Sequence, residues 1–254
     1  VRNVLADPYL LGINSGASCG AAAAILFGVG AGLGPYALTG SAFLGALGAA
    51  LLVLVVASSS GMVTSIRLVL AGVAVGYALS AATSFLIFAS GSAEGSRSVM
   101  FWLLGSLGLA RWGVELALVV GIVLVTILVL TAWSAQLDAL AVGDDTARSL
   151  GISPEGLRVR LIVVVSLCVG VAVAAAGSIG FVGLVVPHLA RRLVGATHRW
   201  VIPVSALLGG GLLVLADLVA RTVMSPQELP IGIITALVGA PFLLFLLRRM
   251  QPTP

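Results

Sequence analysis

Ionisable side chains are scarce in this 254-residue chain, and each sits at a telling place. Asp217 and Arg221 stand four residues apart, the spacing that puts two side chains on one helix face. Such a pair is either a local ion pair at a membrane interface or, with Arg221 turned outward, a docking point for an acidic partner. Arg111 and Glu115 repeat the spacing and read as a local pair. His188 and His198 are isolated, with no Glu-x-x-His spacing and no cysteine cluster, so a catalytic metal is not expected. All thirteen basic residues are arginine. Without lysine a Walker-type phosphate loop lacks its phosphate-binding side chain, so the chain is not expected to hydrolyse ATP itself, and no residue is assigned a catalytic role.

The most informative polar stretch is the connector from Ser134 to Arg160. Asp144 or Asp145 could cap a short helix through Thr146, Ala147, Arg148, Ser149 and Leu150, closed by Gly151 and followed by Ile152. Ser153-Pro154-Glu155 then supplies an N-cap, a proline at the first helical position and an acid in the first turn. Two short amphipathic helices here would form a platform for a soluble partner; an ordered loop with no partner is the plainer alternative.

The elements that must hold these groups are set by hydropathy. Hydrophobic residues make up 60% of the chain and charged ones 9%, against roughly 25% charged in a soluble domain. Mean hydropathy is +1.20. Charge-free runs extend from Pro8 to Ile66, Leu68 to Ala93, Leu116 to Leu137, Leu161 to Ala190, Trp200 to Ala216 and Leu229 to Leu247. Since a spanning helix takes about 20 apolar residues, the chain reads as an all-α polytopic membrane protein, one transmembrane domain over 1–254. This excludes a disordered chain, a disulfide scaffold and an ordinary soluble enzyme.

About eight spans are expected, near Ala17–Leu33, Thr39–Ala57, Ile66–Ala89, Gly113–Trp133, Val159–Ala176, Ser178–Leu189, Val201–Ala220 and Ile231–Leu247, with a break at Gly34-Pro35 and Gly40. With both ends cytoplasmic, Arg2, Arg67, Arg148, Arg158, Arg160, Arg191, Arg192, Arg199, Arg248 and Arg249 fall inside, and Arg97, Arg111 and Arg221 outside. The sixth piece reaches only about 18 Å, and the charge bias is the reason to count it as a crossing. The basic surplus therefore marks membrane topology, not nucleic-acid binding. Cys19 and Cys168 lie in apolar segments and read as small packing residues. Glycines within the spans allow close helix approach. Gly72 and Gly76, on a helix that also carries Ser80, Thr83 and Ser84, are candidates for lining a pathway.

Several motifs in fixed order carry a resemblance: GDDTARSLGIS, GSIGFVGLVVPHLAR, ADLVAR and ELPIGIITALVGAPFLLFLLRR, preceded by NVLADPYLLGINSGA, RLVLAGVAVG and FWLLGSL. Together they resemble the FecCD family of ABC-importer permeases, which includes importers of vitamin B12, haem and ferric siderophores. The resemblance runs over essentially the whole chain. It implies a fold of the vitamin B12 importer type with ten helices, two more than expected here. Asn3-Val4-Leu5-Ala6-Asp7-Pro8 matches a loop that follows the family's second helix, with Val4 where proline is usual, so a truncated or fragmentary product is expected.

The resemblance also implies partners and roles. The partners would be a second permease (identical, or a paralogue), two ATPase subunits carrying ATP and Mg, a periplasmic or lipid-anchored solute-binding protein, and membrane lipids. No cofactor would belong to this chain. Gly143 to Ile152 would be the ATPase-coupling segment, Thr64 and Ser65 the cytoplasmic gate, and Arg221 a docking residue for the binding protein. Arg97 and Arg111 are added as docking candidates from topology alone. A bacterial cytoplasmic membrane is the expected location and a ferric siderophore the preferred cargo, with cobalamin and haem open. The competing readings are an ATP-independent secondary transporter, distinguished by gradient-driven uptake, and an inactive remnant, distinguished by failure to assemble.

Overall fold

The computed structural model describes residues 12–59, 64–110 and 112–249. Among them are eleven α-helices and no strand: α1 (Ile13–Phe27), α2 (Ala37–Ser58), α3 (Ser65–Ser90), α4 (Ala93–Leu103), α5 (Val114–Ala132), α6 (Ser134–Val142), α7 (Asp144–Ser149), α8 (Pro154–Ala176), α9 (Val182–Val194), α10 (His198–Thr222) and α11 (Ile231–Arg249). A helix stands at each of the eight expected spans. Five of them, α2, α3, α5, α8 and α10, are long and apolar enough to cross a membrane by length and composition. The helices α1, α9 and α11 are shorter or less uniformly apolar.

Small residues decide how these helices meet. Gly16 and Gly20 of α1 face Gly45 and Ser41 of α2 so closely that a Cβ on either Gly16 or Gly45 would overlap the other's backbone carbonyl. In lipid no hydrophobic force separates helix from tail, so close backbone approach and dispersion supply the association. The core beside this contact is mostly alanine: Ala17 and Ala21 of α1, Ala42, Ala46 and Ala50 of α2 and Ala174 of α8, closed by Ile13, Trp102 and Val173. A second cluster joins Val53 and Ala57 of α2, Leu68 and Ala71 of α3 and Ile162 of α8. It brings the end of α2 together with the starts of α3 and α8.

Four expected boundaries move and one unexpected helix is added. The first span ends at Phe27, where Gly28 takes φ +68° and closes α1; a 3-10 turn over Ala31–Tyr36 then leads into α2. An unexpected amphipathic helix, α4, begins at Ser92, whose hydroxyl accepts the Gly95 amide at 3.0 Å, with Glu94 in its first turn. The connector 134–160 is mainly helical, because α5 resumes after a kink at Trp133 as α6. The Ser153 signal starts the long helix α8 itself, five residues ahead of the expected Val159: Ser153 Oγ accepts the Gly156 amide at 3.3 Å and Pro154 is the first helical residue. Finally, α9 starts at Val182 rather than Ser178.

The stretch before α9 carries the chain across. Ala176 at the end of α8 accepts the Ser106 amide at 2.8 Å, while His198 at the start of α10 is bonded to Asp138 beside the α7 end. The chain therefore passes from one end of the bundle to the other between them. Thirteen helical residues reach about 20 Å, and the irregular Gly177–Phe181 stretch supplies the remainder of the path. Irregular backbone within a membrane needs protein around it, and this stretch lies against the loop after α4: a Cβ on Gly105 would meet Ser178 O at 2.6 Å and one on Gly177 would meet Trp102 O at 2.4 Å. Beside it, Ile231 donates to Gly105 O and Gly232 to Leu104 O, at 3.1 and 3.0 Å. Phe181, with φ +67°, marks the turn into α9.

Arginine is distributed unevenly between the two ends. Arg67, Arg148, Arg158, Arg160, Arg191, Arg192 and Arg199 lie on segments at the α7 end, and α11 runs toward that end through Arg248 and Arg249. Among the described residues, Arg97 and Arg221 are the arginines at the opposite end. Arg2, Arg111 and the motif Asn3 to Pro8 lie outside the described residues.

Candidate functional site

Gly143 to Ile152 forms a short projection between α6 and α8. Gly143 adopts φ +155° at its start and Gly151 φ +75° at its close, both conformations that side chains with a Cβ resist. The expected cap is corrected: neither Asp144 nor Asp145 bonds the first-turn amides, and Gly143 occupies the N-cap position without a side-chain bond. Both acids are engaged with arginines instead. Asp144 Oδ1 accepts Arg158 Nη2 from α8 at 2.6 Å, and Asp145 Oδ1 accepts Arg148 Nη1 at 3.2 Å.

These two pairs differ in kind. The Arg158 side chain is 10% exposed against 37% for Asp144, whereas Asp145 is wholly in the open. Arg158 Nε is also buried without a partner among the described residues, so Asp144 is the counter-charge that makes this burial tolerable. The Arg158 hydrogen bond holds the Asp144 carboxyl below the usual aspartate range, with the charges of Arg158 and Arg148 acting in the same direction and partial burial opposing them. Ala147 turns fully inward. Asp145, Thr146, Arg148, Ser149 and Leu150 form the outward side, all exposed, and Leu150 is 65% exposed although apolar. The segment is thus a rigidly tethered knob that offers one exposed leucine among charges.

At the same end, Thr64 and Ser65 open α3. Thr64 Oγ1 accepts the Arg67 amide at 3.4 Å and so serves as the N-cap of this helix. Gly72 and Gly76 turn toward α1, where a Cβ on Gly12 would touch Gly72 O and Gly76 N at 3.1 and 3.2 Å. Within this chain they pack two helices together. Ser80 Oγ donates to Ser15 Oγ across the same contact, at 3.3 Å.

A second group of charges stands at the opposite end. Arg221 Nε donates to Asp217 Oδ2 at 2.8 Å, and its Nη1 lies 3.5 Å from Glu228 Oε1. The i,i+4 pair read from the sequence is therefore present, and Glu228, which the sequence reading passed over, extends it. Arg221 still leaves 42% of its side chain in the open. Arg97, on α4, lines an open recess with Glu94, Ser98, Trp102 and Glu228. Among the described residues no group of three His, Cys, Asp or Glu is placed to hold a metal ion. Cys19 and Cys168 are free and partly buried on α1 and α8.

Comparison with known proteins agrees with this architecture. The family model of the FecCD transport family matches residues 1–249. The cobalamin import system permease protein BtuC of Halobacterium salinarum is 46% identical over 98% of this chain and 66% of its own length. The Fe(3+)-citrate import system permease protein YfmD of Bacillus subtilis is 38% identical over 98% of this chain and 72% of its own length. The chain thus spans about two thirds to three quarters of these relatives. A solved inward-facing structure ascribed to a metal-chelate type ABC transporter superposes with a TM-score of 0.89 at 35% identity, covering 98% of this chain and 78% of that one. An all-helical membrane protein with these motifs and this superposition, the chain belongs to the FecCD transport family.

Proposed function

We propose that this chain is the membrane-spanning permease part of an ABC importer, moving a metal chelate across a cytoplasmic membrane with energy from a separate ATPase subunit. The observation that carries the reading is the Gly143–Ile152 projection: anchored through Asp144 to a buried arginine of α8, it turns Leu150, Arg148 and Asp145 outward. A knob of this kind suits a groove on a soluble partner, since an exposed apolar side chain ringed by charges supplies both area and register. The arginine-rich end containing it is taken as the cytoplasmic side. ATP and Mg then belong to the partner.

In this frame Thr64 and Ser65 stand at the inner gate. Arg221 and Arg97 stand on the outer face, where a solute-binding protein with acidic side chains would dock, and Arg111 is assigned to that role from the order of the spans in the sequence alone. A second permease, identical or a paralogue, completes the pathway. The cargo proposed is a ferric siderophore. Cobalamin is the second reading, favoured by the higher identity to the Halobacterium protein than to the iron-citrate one.

Uptake of radiolabelled iron from a panel of ferric siderophores, and of radiolabelled cobalamin, tests the proposal in cells deleted for the gene and complemented with it. ATP-dependent uptake lost on Leu150→Asp, with the protein still in the membrane, is expected. Uptake that follows an ion gradient and survives deletion of the ATPase partner would overturn the permease reading.

A further inference from the structure

One polar contact outside the projection fastens the start of α10 to the helix that leads into the projection. Asp138 lies on α6, the helix that runs directly into Gly143. Its Oδ1 accepts the backbone N–H of His198, the first residue of α10, at 3.1 Å, and lies 2.5 Å from the ring Nδ1 of the same residue. Thr197, at the N-cap position of α10, makes no side-chain bond to the open amides. The helix start is therefore capped by a carboxylate 60 residues away in sequence. Helix ends leave amides unpaired, and a local Ser, Thr or Asp is the usual remedy; a remote cap adds a mechanical link that a local one does not.

The link is partly shielded, with His198 and Asp138 side chains 24% and 36% exposed. It holds at two points on one residue, amide and ring, which resists both sliding and rotation of α10 against α6. From this clasp α10 runs 25 residues, about 37 Å, to the other end of the bundle. There Arg221 is bonded to Asp217 on the same helix and reaches Glu228 beyond it. One helix thus carries the outer ion-pair cluster at its end and is fastened at its start to the element that feeds the projection.

We propose that Asp138 is a positioning residue whose clasp on His198 makes α10 the strut between the outer docking face and the ATPase-facing segment. The inference rests on the permease reading above. Events at Arg221 bias the position of α10, and the clasp passes that bias to α6 and so to the projection. A simple cap would need only the His198 amide; the ring contact is what distinguishes a clasp from a cap.

The test uses the complete complex, permease with its ATPase and loaded binding protein, reconstituted in nanodiscs, with ATPase rate followed against binding-protein concentration. His198→Ala keeps the amide cap and removes the ring contact. It is expected to lower maximal stimulation about fivefold or more while leaving the half-saturating concentration of binding protein unchanged. Asp138→Ala should do the same, and Asp138→Asn, which keeps an acceptor for the amide, should fall between. Arg221→Glu should instead raise the half-saturating concentration. If His198→Ala retains wild-type maximal stimulation, Asp138 is a cap alone and the proposal fails; where Asp138→Ala does not assemble, His198→Ala decides. A wild-type complex that neither binds an ATPase subunit nor responds to a binding protein would refute the permease reading itself, before any clasp variant is read.

Discussion

Removing either half of the Asp144–Arg158 pair should not cost the same. Asp144→Ala leaves a guanidinium that is 10% exposed and already has an unpartnered Nε. The loss is a charge-assisted hydrogen bond plus an uncompensated buried charge, about 2–3 kcal/mol of local stability. Arg158→Met leaves a carboxylate 37% exposed, which water can reach, and substitutes an apolar side chain of similar length. That change should cost about 1 kcal/mol or less. The double variant Asp144→Ala with Arg158→Met should fall short of the sum, because its partners share one interaction. Hydrogen exchange of the amides from 143 to 152 reads the local opening directly, and the transport-to-hydrolysis ratio of the assembled importer reads its consequence. An Arg158→Met variant as unprotected as Asp144→Ala, or strictly additive behaviour, would refute the assignment of Asp144 as counter-charge to a buried arginine.

The same pair sets a pH expectation. Because the folded Asp144 carboxyl titrates below its unfolded value, its stabilising contribution is present above the ordinary aspartate range and lost as pH falls through the folded value. Protection of 143–152 should therefore stay flat through neutral and mildly acid pH and collapse only in strong acid; loss already near neutrality would count against the pairing. Gly45→Leu should overpack the α1–α2 contact, costing about 1–3 kcal/mol and lowering the yield of folded protein in detergent, whereas Gly48→Leu, which meets open space, should be tolerated. Arg221→Glu should weaken binding-protein docking measured by surface plasmon resonance and set three carboxylates together at Asp217, Glu228 and the new side chain; unchanged affinity would remove Arg221 from the docking face.

Local grammar in this chain was legible wherever one residue type has one physical use. Gly151 had to close α7 because the backbone there turns left-handed, and Ser153-Pro154 had to open a helix because the serine hydroxyl and the missing proline amide suit its first turn. That helix proved to be α8 itself, since its apolar run continues without a break. The start at Ser92 used the same grammar, with an acid in its first turn, and was readable in principle; its few apolar positions hid it among longer runs. The division of Arg221 between Asp217 and Glu228 was only half readable. Four-residue spacing announces the first partner, whereas the second depends on how the chain turns back after α10.

Composition and charge spacing by themselves determined that the chain is a bundle of membrane helices, that arginines crowd one end, and that a polar projection interrupts the apolar pattern between the fourth and fifth spans. These follow from transfer free energies summed along a segment, which need no knowledge of neighbours. Tertiary structure alone decided that Asp144 serves Arg158 instead of its own helix, that Asp138 caps a helix 60 residues away, and that Gly72 and Gly76 face α1. Each of these is a choice among several nearby partners of equal chemical merit, and that choice is made by which helix faces come within hydrogen-bond or van der Waals reach once the small residues let the backbones close.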